Sequence, residues 1–113
     1  MAKKLPYRAV TASGNQFEFE FPLHPDTASS VHVHNLLDAL LGTLDRELRH
    51  IPGVSNGDVL QALAMLLAVR TRILPGRADM LTGLARELLD TALAAPVSEP
   101  AGNLPPDQPR EVH

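Results

Sequence analysis

The stretch VLQALAMLLAV, Val59 to Val69, carries one polar side chain, Gln61, in eleven residues. A surface helix keeps a polar face toward water, and a helix apolar all round needs cover on every side. A chain of 113 residues is the size of one small domain. Its other elements must therefore supply that cover, or a second molecule must.

Resolved by angle at 3.6 residues per turn, the stretch is uneven. Val59, Leu60, Leu63, Leu66, Leu67, Ile73 and Leu74 fall in a bulky arc of roughly 140°. Gln61, Ala64, Ala68, Thr71 and Arg72 form a thinner side. Alanines four residues apart admit another helix closely, and a central glutamine can hydrogen-bond to its symmetry mate. The bulky arc is expected to face the chain's own core. The thin side is expected to meet a second copy, the plainer alternative being a solvated helix edge.

The flanking elements follow from local signals. YRAVTASGNQFEFEF, residues 7–21, alternates on both sides of a Ser-Gly-Asn turn, as a β-hairpin does. A two-residue turn at Gly14-Asn15 would pair Ala12 with Phe17, Val10 with Phe19 and Arg8 with Phe21, placing three phenylalanines on one face. Pro22 and Pro25 end the strand. Asp26, Ser29 or Ser30 can cap a first helix to about His50, whose Val33, Leu36, Leu37, Leu40, Leu41, Leu44, Leu48 and Ile51 share one side. Pro52-Gly53 breaks it. Ser55 or Asn56 caps the second helix, with Asp58 placed for a capping box, and Arg70 and Arg72 suit the negative pole of its dipole. Pro75-Gly76 ends it, and a third helix runs from about Arg77 to Ala94, with Met80, Leu81, Leu84, Ala85, Leu88 and Ala92 on one side. From Pro96 the chain has five prolines and almost no large apolar residue, the composition of a disordered tail.

The expected fold is mainly α (α+β): an N-terminal β-hairpin followed by a three-helix bundle with the second helix central. Residues 1–4 are expected to be flexible, 5–95 to form a single domain and 96–113 a disordered Pro-rich tail.

Candidate chemistries are few. GVSNG, Gly53–Gly57, has the letters of a G-x-S-x-G nucleophile elbow, but that motif needs a strand before the serine and a large sheet beneath it. Here a helix precedes it; Gly53 as helix end and Ser55 as cap explain each letter. HVH, His32–His34, suggests a metal, yet helical residues two apart point about 200° away from each other. His34 with Asp38, one turn on, is the better pair, with His24 or another subunit completing it and Asp45 further along the stripe. Asp38, Asp45 and Glu47 form no carboxylate dyad, since Glu47 points elsewhere and Arg49 neutralises the stripe. There is no cysteine, and lysine occurs only at Lys3 and Lys4, so thiol chemistry and a phosphate-loop lysine in the folded region are excluded.

The succession of strand, helix and the GVSNGDVLQAL turn into a helix resembles the ribbon-helix-helix repressors over residues 17 to about 70. The resemblance implies a dimer whose paired strands enter the DNA major groove. This sequence departs from that pattern in a longer first helix, a third helix, and Glu18 and Glu20 on the strand's polar face, where they would repel phosphates. A net charge of −3 without a run of either sign offers no general polyanion surface.

The leading expectation is a non-catalytic helical interaction or adaptor protein, homodimeric through Gln61, Ala64, Ala68, Thr71 and Arg72 together with Phe17, Phe19 and Phe21. A further protein partner could dock on the helix surface or on residues 96–113. No cofactor, metal or nucleic acid is expected, and no apolar run reaches the roughly 20 residues that span a membrane. The charged N-terminus without an apolar stretch and the absence of cysteine suit the cytoplasm. A small DNA-binding regulator and a metal-binding protein using His34 and Asp38 are the alternatives.

Overall fold

A computed structural model describes residues 3–11 and 13–98. The element order is β1 (Lys3–Val10), β2 (Gln16–Leu23), α1 (Ser30–His50), α2 (Asn56–Ile73), α3 (Ala78–Leu93) and β3 (Val97–Ser98). This is the expected N-terminal antiparallel hairpin followed by three helices. Two compact units divide the chain: Met1–Ser30 with Thr91–His113, and Val31–Asp90.

In the first unit the sheet order is β1-β2-β3. The hairpin register differs by three residues from the sequence expectation: Ala9 pairs with Phe17, Tyr7 with Phe19, Arg8 with Glu18 and Leu5 with Phe21. Ala12, the expected partner of Phe17, lies outside the described residues. The cause is the turn. It is closed between Thr11 and Asn15: the Thr11 N–H donates to the Asn15 carbonyl at 2.9 Å and the Thr11 carbonyl accepts from Gly14 N–H at 2.9 Å. Thr11 Oγ1 also accepts from Asn15 N–H at 3.1 Å. Gly14 takes φ 92°, open to glycine without strain.

The corrected register joins Leu5, Tyr7 and Ala9 with the three phenylalanines on one face. Leu5 and Tyr7 are buried, Phe17, Phe19 and Phe21 half-buried, and the Phe19 and Phe21 rings stack at 5.1 Å. The opposite face is polar and cross-paired, Arg8 to Glu18 at 3.1 Å and Lys4 to Glu20 at 3.8 Å.

Pro22 does not end β2 but pairs with Lys4. Glu20 N–H donates outward to the Pro96 carbonyl at 3.0 Å. Backbone direction alternates along a strand, so Pro22 also points away from β1 and its missing N–H removes no bond to that strand. Val97 and Ser98, read from sequence as tail, form β3 against Phe19 and Glu18; residues 99–113 lie outside the described residues. β1 begins at Lys3, inside the segment expected to be flexible.

In the second unit the breakers and caps act where the sequence places them. Gly53, at φ 80°, lies in the turn after α1. Ser55 is the N-cap of α2, its Oγ accepting from Asp58 N–H at 3.1 Å while Asp58 Oδ2 accepts from Ser55 N–H at 3.1 Å. Ser55→Ala removes half of this box and is expected to cost about 1 kcal/mol, the usual value of such a cap; a lowered midpoint in thermal or urea unfolding checks it.

Burial is where α2 departs from expectation. Every residue from Leu60 to Arg70 is exposed, so α2 is not the covered centre of the single chain. Thr71 alone on this helix is buried, with Oγ1 donating to the Leu67 carbonyl at 2.7 Å.

Candidate functional site

The helices of the second unit differ in character. α1 and α3 are strongly one-sided, whereas α2 is apolar almost all round and carries no charge from Val59 to Val69. Leu67 and Thr71 of α2 and Ala85 and Leu89 of α3 line both of two open grooves between these helices. One groove, about 330 Å³, continues to Leu74, Leu81 and Leu88. The other, about 350 Å³, runs past Ala64, Ala68 and Arg72 to Thr82 and Arg86.

Four of the five helix residues expected to meet a second copy, Ala64, Ala68, Thr71 and Arg72, therefore line a groove against the chain's own α3. Gln61 is exposed on the same helix. Phe17, Phe19 and Phe21 share the apolar sheet face of the other unit. Sequence reasoning assigned Ala62, Met65 and Val69 to neither side of α2. The structure exposes them on the side away from α3, with Met65 at 57 % and Val69 at 55 %. The signal that could have found them is spacing: 62, 65 and 69 recur at three and four residues, which sets them on one side of a helix.

The free edge of the sheet presents a different surface. Because Glu20 points outward from β1, its partner Pro6 points outward on the other side, toward the open edge. That edge thus lacks its middle N–H, and Lys4 and Arg8 flank the gap. Proline and lysine on an exposed strand are ordinary devices against edge-to-edge pairing.

Other candidate residues are placed as follows. Ser55 is occupied as a helix cap, as read from sequence. α1 is helical across His32 and His34, which separates their side chains around the axis, and His34 and Asp38 stand one turn apart. His24 Nδ1 accepts from Asp26 N–H at 3.0 Å. Among the described residues no three or more His, Asp or Glu side chains gather as a metal site would require.

The described residues thus define a small helical protein with a β-hairpin, whose most distinctive surface is the exposed apolar helix α2. No described helix is long and apolar enough to cross a membrane. No protein-family model, curated protein or solved structure matches the chain.

Proposed function

We propose that the protein is a non-catalytic helical interaction protein that works as a self-associated assembly, a homodimer in its simplest form. One observation carries the reading: α2 exposes Leu60, Leu63, Met65, Leu66, Leu67, Val69 and Ile73 in the single chain. Monomeric soluble proteins rarely expose contiguous apolar patches beyond a few hundred Å². The only large apolar side chains buried among the described residues are Leu5 and Tyr7, both in the sheet. The second unit consequently lacks an interior of its own and gains one only when another apolar surface closes over it.

α1 likewise exposes Leu36, Leu40 and Ile51 along a stripe of its own. A stable interface buries roughly 800 Å² per partner, more than one helix face alone provides, and this stripe offers the additional area. A chain without cysteine is suited to the reducing cytoplasm, where such an adaptor would act.

Light scattering coupled to size exclusion tests the reading. At micromolar concentration the mass is expected at a multiple of 12.2 kDa, and the unfolding midpoint is expected to rise with protein concentration, as linkage to assembly requires. A mass of one chain with a concentration-independent midpoint would remove it.

A further inference from the structure

We draw no further inference here: the strongest candidate, the apolar groove between α2 and α3 lined by Leu67, Leu74, Leu81, Leu84 and Leu88, carries nothing because nothing in the structure shows what covers it.

Discussion

A Met65→Glu chain is expected to lose most of the self-association proposed for the unmodified protein. Met65 is exposed on α2 among Leu60, Leu63, Leu66 and Val69, so the substitution puts a charge into the apolar surface on which that reading rests. Leaving an uncompensated charge buried in an interface costs several kcal/mol. Each 1.4 kcal/mol is a factor of ten in Kd, so about 3 kcal/mol weakens association more than a hundredfold. Light scattering should give 12.2 kDa for the variant at a concentration where the unmodified protein gives a multiple of it. A variant that assembles as well as the parent would take Met65 out of the interface.

Replacing Tyr7 by alanine is expected to be the most damaging single truncation in the sheet. Tyr7 and Leu5 are the two buried large apolar side chains of the described residues, and Tyr7 stands opposite Phe19, whose ring stacks on Phe21. Removing a large buried side chain costs about 3–5 kcal/mol, through lost burial and the cavity left behind. That is a large share of the 5–15 kcal/mol by which a small domain is stable. The exposed Arg8 on the opposite face, paired to Glu18, supplies the comparison: Arg8→Ala should cost no more than about 1 kcal/mol, as surface ion pairs do. Amide hydrogen exchange across β1 and β2 reads both. Equal losses of protection for the two variants would mean that the apolar face contributes nothing special.

The helices were legible because their ends are local. Ser55 and Asp58 cap α2 by contacts within four residues, and Pro52-Gly53 and Pro75-Gly76 interrupt the helical pattern. α1 and α3 carry a single apolar stripe that periodicity finds without help. The hairpin was legible as a hairpin but not in register. The letters Ser-Gly-Asn allow a tight turn, and only Thr11, bonding through its N–H, carbonyl and hydroxyl, fixes the longer one. β3 is two residues of unremarkable sequence, paired because the outer edge of β2 was available.

On α2 the same logic reaches its limit. Its sequence determines by itself that a helix forms over Asn56–Ile73 and that apolar side chains ring it, since caps, breakers and composition are properties of neighbouring residues. Which side α3 occupies cannot be read from a helix apolar on nearly every side, because no direction stands out from the others. Only the tertiary structure decided that, setting α3 along Leu67 and Thr71, placing Ala64 and Ala68 in a groove beside it, and leaving Met65 and Val69 to the solvent.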